Sequence, residues 1–525
     1  MAIARFARRP LEQYIRLFSS YGDTVRVPFM PGRSLFILSR PEYAEHVLAA
    51  AQDNYVKAFT YRPLRVLIGD GLLTSEGSTW RRHRRIIQPL FSRRHVAGFA
   101  PQITDGASRA LARWDGMPAG SVVNASAELS ALTLDIVGRV LFSSDLRGDV
   151  PLLGRALRSG QRAAVVATFT PVPERTARMV SRMLGGPADT VADVVRRLVA
   201  ARWEQQPPST GSPAAGTTPE GTPREGTPRE GRAREARARE GTACEGTAAA
   251  GPAPAGTEIA GITGPAGTAA AGPGPAGTAA AGTAAAGTAA AGTAAANGEE
   301  PRDLLGLLMA ARDEDGTGLS DEEIQGEVAT FLLAGHETTA NALGWSLALL
   351  SAYPAARELL EEEIDALPGG RPPGAADLDR LPWATAVVNE AMRLYPPAWV
   401  IEREAVAGDA VRGVRIPARS TVAVSPYLIH RHPEFWPDPA GFDPRRFLPG
   451  ADGAPGVPHR YAYIPFGGGR RGCVGAGFAQ LESVLVLATL CRQYRLELTE
   501  PGLPRPEANV TLRPGRSLPM RLIRR

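Results

Sequence analysis

Cysteine is scarce in this chain: three occur among 525 residues, Cys244, Cys473 and Cys491. Three widely spaced thiols cannot build a disulfide framework, so a disulfide-stapled scaffold is excluded and a cytoplasmic protein is expected. Long uninterrupted apolar runs are missing as well. Arg5, Arg8, Arg9, Glu12 and Arg16 break up the first eighteen residues, and no signal peptide or membrane anchor is expected there. The longest apolar region, Val328–Ala352, carries Gly335, His336, Glu337, Thr338, Thr339 and Asn341 at its centre. It suits a buried core helix with a functional interruption better than a lipid-facing span. Nor is there a basic block: the net charge is +5, from 59 Lys+Arg against 54 Asp+Glu, and the arginines are scattered. Nucleic acid is therefore not the expected partner.

Large apolar residues almost vanish between about Pro207 and Asn297, where Gly, Ala, Thr, Pro, Glu and Arg dominate. The pentad EGTPR begins at Glu220 and again at Glu225, and AGTAA at Ala276, Ala281, Ala286 and Ala291. Such a stretch cannot bury enough apolar area to offset its ordering entropy, and five-residue units without apolar positions have nothing to stack. A disordered insert at about 207–299 is expected, with Cys244 incidental within it.

The remainder, roughly 430 residues, reads as mainly α with small β-sheets. Val25–Val27 and Leu35–Leu38 flank a Pro-Gly turn and suit a hairpin. Ser320 with Glu323 forms a capping box opening a long helix that ends before Pro354. Pro382 starts a helix running to about Leu394. Val411–Ile416 and Thr421–Val424, around a Pro-Ala-Arg-Ser turn, are expected to pair as a second hairpin. Pro433 to Phe447 is irregular. A last helix begins near Gly475, with Leu481, Val484, Leu485 and Ala488 on one face.

The stretch most loaded with chemistry is Phe466-Gly-Gly-Gly-Arg-Arg-Gly-Cys473-Val-Gly475. Its glycines permit tight or left-handed backbone lying close against a flat ligand. The following helix points free N–H groups at the sulfur, favouring thiolate. Arg471 suits a carboxylate on a ligand rim. A thiolate so placed can ligate iron; an inert cysteine beside a glycine-rich turn is the other reading of the same residues.

Phe466, Gly469, Arg471, Cys473 and Gly475 match the haem-binding signature of the cytochrome P450 family at its fixed positions. Further motifs of that family follow in order, so the resemblance covers nearly the whole chain outside the insert. It implies the family's fold in one domain, residues 1–525, with haem b between the long central helix and the helix of the cysteine loop, and Cys473 as axial ligand. Glu390 and Arg393, three apart on the Pro382 helix, resemble the family's buried ion network, with Arg446 as third member and a supporting role behind the cysteine loop. Ala334-Gly335-His336-Glu337-Thr338-Thr339 looks like the oxygen-activation motif, which implies Thr338 as the hydroxyl partner of dioxygen and Glu337 as proton carrier. His336 falls at a variable position and is not expected to bind metal. Trp80 and Arg84 match the helix that contacts the haem carboxylates, and Arg403 resembles a further contact.

By this resemblance the chain is a haem-thiolate monooxygenase that inserts one oxygen atom from dioxygen into a hydrophobic small molecule, of the kind met in terpenoid or other secondary metabolism. Pocket positions implied are Arg62–Asp70, Phe331, Trp399–Ile401 and the segment around Val510–Thr511. The 52 residues after Cys473 are too few for a flavin or iron–sulfur module, so ferredoxin and ferredoxin reductase are expected as separate electron donors. Arg82 and Arg85 are expected to contribute to the surface such a donor meets. A peroxide-driven haem enzyme and a haem-based sensor without turnover are the alternatives.

Overall fold

Helix-forming sequence organised by caps and prolines sets most of the architecture. In the computed structural model the described residues are 9–30, 33–143, 148, 150–169, 186–204, 303–448, 457 and 459–525. The expected insert at about 207–299 lies outside the described residues.

The principal helices are α1 (Pro10–Tyr21), α2 (Arg62–Ile68), α3 (Gly77–Ile87), α4 (Ala100–Asp115), α5 (Ala125–Phe142), α6 (Val150–Phe169), α7 (Pro187–Glu204), α8 (Asp321–Ala352), α9 (Pro382–Leu394) and α10 (Ala476–Gln493). The central helix α8 starts as expected: Ser320 accepts from the Glu323 amide, and the Glu323 carboxylate returns to the Ser320 amide. It is buried almost all round, and α4, α5, α9 and α10 share one apolar core with it. No helix among the described residues is long and apolar enough to cross a membrane.

Among the described residues, twelve strands make four small sheets: β1 (Thr24–Met30), β2 (Arg33–Leu38), β3 (Tyr55–Lys57), β4 (Val122–Asn124), β5 (Ile401–Ala405), β6 (Asp409–Val411), β7 (Val414–Ile416), β8 (Thr421–Val424), β9 (Tyr494–Leu498), β10 (Glu507–Ala508), β11 (Leu512–Arg513) and β12 (Pro519–Arg524). The largest runs β1-β2-β8-β5-β3, and a second runs β4-β12-β9. The expected β1–β2 hairpin is present. The second expected hairpin is corrected. β6 and β7 fold back on each other across Arg412 and Gly413, both at positive φ (46° and 83°). β8 instead lies between β2, to which it is parallel, and β5, to which it is antiparallel. All four β8 residues are buried, which fits an inner strand covered on both faces better than an edge hairpin.

Candidate functional site

The cysteine loop is built by backbone. The Cys473 amide donates to the Phe466 carbonyl at 2.8 Å and the Gly472 amide to Gly469 at 3.1 Å. Gly469 sits at φ +65°, and a Cβ there would lie 1.8 Å from the Leu48 carbonyl oxygen, so no other residue fits. α10 leaves the loop immediately afterwards, with the Ala479 amide bonded to the Gly475 carbonyl at 2.9 Å. Arg84 Nη1 donates to the Gly472 carbonyl at 2.8 Å, fastening α3 to the loop. Cys473 is solvent-accessible, yet the surrounding protein pushes its thiol pKa up, against the Gly475 amide and Arg84, which pull it down. The net shift is upward, so the helix terminus alone does not secure the thiolate. Cys491, by contrast, is buried within α10, and burial pushes its thiol up to about 12.

Beside the loop the structure gathers cations. Pairing of β3 with β5 sets Lys57 opposite Arg403, which is buried. Arg471 Nη2 donates to Glu76 Oε2 at 2.5 Å, and its guanidinium lies 5.1 Å from the Trp80 ring centroid. Lys57 Nζ donates to the carbonyls of Leu72 (2.9 Å) and Ser75 (2.6 Å). Burial drives the Lys57 pKa down to about 7; Glu76 and Glu327 raise it, while Arg403 and Arg471 push it lower. Burial likewise depresses Arg471, opposed by Glu76 and reinforced by Arg403. The cradle is thus short of negative charge and suits an anionic ligand.

Lys57 escaped the reading of motifs, but composition carries a signal: the chain has one lysine among its 59 Lys+Arg. A compact ammonium that reaches two carbonyls cannot be replaced by a planar guanidinium.

On α8, Ala334 is exposed and Gly335 and Thr338 half-exposed, although the residues flanking them are buried. This small-residue face suits a flat group. Phe91 couples it to the loop: its ring meets Phe331 edge-on at 5.6 Å, and a Cβ on Gly475 would be 3.7 Å from Phe91. Thr338 Oγ1 donates to the Ala334 carbonyl at 2.7 Å. Glu337 is buried and its oxygens accept from Thr511 Oγ1 (2.6 Å), Arg513 Nε (2.6 Å) and Gln161 Nε2. Burial raises its pKa, but Arg513, His336, Thr511 and Gln161 outweigh it and hold the carboxyl below its usual range. His336 Nδ1 turns back to the Leu332 carbonyl at 2.7 Å, and no metal-binding cluster of His, Cys, Asp and Glu occurs among the described residues.

Behind the loop, Arg393 forks onto Glu390 (2.7 and 2.8 Å) with both side chains fully buried, and donates to the carbonyls of His430, Pro439 and Gly441. Arg446 Nε lies 3.5 Å from Glu390 Oε1. Arg82 is not a free surface cation: it pairs with Glu323 (2.9 Å) and Asp313 (3.1 Å). Arg85 pairs with Glu314 at 3.2 Å and stays exposed.

The haem domain of cytochrome P450DA superposes with a TM-score of 0.71, covering 98% of this chain and 93% of that one at 22% identity, which establishes the fold. A sequence model of the family described as cytochrome P450 matches residues 2–166 and 289–518. Putative cytochrome P450 132 of Mycobacterium tuberculosis (strain ATCC 25618 / H37Rv) is 31% identical over 487 residues, 92% of this chain and 86% of the relative. Pentalenene oxygenase of Streptomyces avermitilis is 29% identical over 519 residues, covering 99% of this chain and 94% of the relative. The chain belongs to the cytochrome P450 family, and it is a haem-dependent monooxygenase that takes electrons from redox partners.

Proposed function

We propose that Cys473 is the thiolate ligand of haem b in a single catalytic domain, residues 1–525, and that the substrate is a hydrophobic terpenoid or similar secondary metabolite. The observation carrying this reading is the cradle of Lys57, Arg403 and Arg471, crowded with positive charge beside the cysteine loop. When bound, the haem supplies dioxygen cleavage and transfer of one oxygen atom to carbon.

The chain's residues supply the rest. Lys57, Arg403 and Arg471 would hold the haem carboxylates, with Trp80 and Arg84 completing the grip. Phe466, Gly469 and Gly475 shape the loop so that the Gly475 N–H steadies the sulfur. Glu390, Arg393 and Arg446 keep the loop in place. The Thr338 hydroxyl, on the open face of α8, handles the proton nearest the reaction, and Glu337 delivers protons when Arg513 releases it.

A cleft of about 430 Å³ between α2, α7 and α8 sets Leu67, Ile68, Val191 and Val195 beside Arg65, Asp189, Glu322 and Gln325, a mixed lining of a size for a small molecule. The relative named for oxygenating pentalenene supports an alicyclic hydrocarbon skeleton. Ferredoxin and ferredoxin reductase in the cytoplasm serve as electron donors, and a low-complexity insert at about 207–299 interrupts the single domain.

The test is turnover with a terpene panel, screened first by the substrate-induced spectral shift. Product must require both dioxygen and reductant; equal yields from peroxide alone would sink the reading. In parallel, Cys473→Ser should abolish the reduced carbon-monoxide spectrum that thiolate ligation gives.

A further inference from the structure

Two buried polar side chains, on the two helices that would enclose the haem, are left unsatisfied against each other. Glu482 on α10 is fully buried, and neither carboxyl oxygen has a hydrogen-bond partner. Opposite it on α8 is Thr339, the residue after Thr338, which is buried and whose hydroxyl also has no partner. Thr330 on α8 likewise has a buried hydroxyl without a partner, whereas three other hydroxyls of these helices are satisfied locally. Thr338, Ser346 and Thr489 each return theirs to the carbonyl four residues back, at 2.7, 2.8 and 2.6 Å. Thr339 forgoes that local bond, and its hydroxyl faces Glu482, where it favours the ionised carboxyl.

Leaving an ionised carboxylate there uncompensated is costly, whereas a neutral carboxyl is both donor and acceptor and can exchange two hydrogen bonds with a hydroxyl. Burial pushes the Glu482 pKa up to about 8 and Thr339 alone opposes it; no charged side chain contributes.

We propose that Glu482 is a positioning residue: as a neutral acid hydrogen-bonded to Thr339, it clamps the turn of α8 bearing Glu337 and Thr338 to the helix that leaves the cysteine loop. This rests on the proposed roles of Glu337 and Thr338, and it adds a tie between the two sides of the haem site. Ionisation of Glu482 breaks the clamp. Above its pKa the neutral fraction falls about tenfold per pH unit, and product formed per reductant consumed should fall with it.

The test compares wild type with Glu482→Gln, Glu482→Leu and Thr339→Val, each as the haem-loaded full chain. Wild type at pH 7 should show the infrared band of a protonated carboxylic acid that shifts in D2O and is lost in Glu482→Gln. Product per reductant should collapse above about pH 8 in wild type. Glu482→Gln, which keeps a neutral hydrogen-bonding group, should hold its yield there, and Thr339→Val should be uncoupled at every pH. Absence of the infrared band, or the same alkaline limb in Glu482→Gln as in wild type, overturns the proposal. Should Glu482→Leu fail to fold, the Gln and Val variants still decide. The infrared measurement also separates this clamp from the monooxygenase reading, because it needs no turnover.

Discussion

Arg513 Nε donates to Glu337 Oε1 at 2.6 Å, joining β11 to the middle of the central helix across 176 residues. Gln161 on α6 bonds both partners, donating to the Glu337 carboxylate and accepting from Arg513 Nη2 at 2.8 Å. The acid proposed to deliver protons is thus held as a paired anion, locked by the C-terminal segment and by α6.

Replacing Arg513 with Leu should leave a buried carboxylate with its main counter-charge gone. Loss of one partner of a buried pair costs about 3–5 kcal/mol of stability. The sign with pH should also invert. In wild type the Glu337 pKa is depressed, so its contribution is present above the unfolded value of about 4.3 and lost as acid protonates it. In Arg513→Leu, burial raises the pKa and stability should fall as pH rises. Thermal unfolding at pH 5 and pH 8 checks this; parallel pH dependence in the two proteins refutes it.

Glu390→Gln strands Arg393, whose side chain is fully buried, with carbonyl partners but no anion. About 3–5 kcal/mol should be lost, enough to place much of the chain below its folding threshold. Because the pair braces the loop rather than touching substrate, the folded fraction should keep wild-type product per reductant. Haem content per mole of chain and urea unfolding give the two readouts.

Lys57→Met removes one cation from the proposed carboxylate cradle. Losing a single charge-assisted contact of about 1.5–3 kcal/mol corresponds to haem loss roughly tenfold faster or more. Lys57→Arg should rescue poorly, since a planar fork cannot reproduce the short bonds to Leu72 and Ser75. Transfer of haem to apomyoglobin measures the rate, and an unchanged rate excludes Lys57 from the cradle.

His83 ties α3, the helix of Trp80 and Arg84, to α8. Its ring is fully buried between Glu327 (2.7 Å) and Glu323 (3.1 Å), and Arg82 shares Glu323. Burial lowers its pKa, but the two glutamates outweigh burial and the net shift is upward. A raised histidine contributes stability below the unfolded value of about 6.5, and that stability is lost as pH climbs through the folded value. The melting-temperature advantage of wild type over His83→Gln should therefore shrink between pH 6 and pH 9.

Much of this was legible before any coordinates. Ser320 and Glu323 announce α8 because a capping box is satisfied within four residues, and the glycines before Cys473 announce tight or left-handed backbone because they carry no Cβ. The second hairpin was misread for the complementary reason. Thr421–Val424 carries a strand pattern, but which strand it joins depends on β2 and β5, far away in sequence. Arg82 shows the same limit: a basic helix face in sequence, it is drawn into Glu323 and Asp313 by the packing of α3 against the start of α8.

The amino-acid sequence by itself determined the family, the cysteine loop, the central helix and the Glu390–Arg393 pair, because each is encoded within a few residues by turn chemistry or helical spacing. Tertiary structure decided which charges meet. It set Lys57 opposite Arg403 through strand pairing, locked Glu337 under Arg513, and turned Glu482 toward Thr339. Electrostatic and hydrogen-bond energies depend on distance and burial in space, and neither is written in the local pattern of the chain.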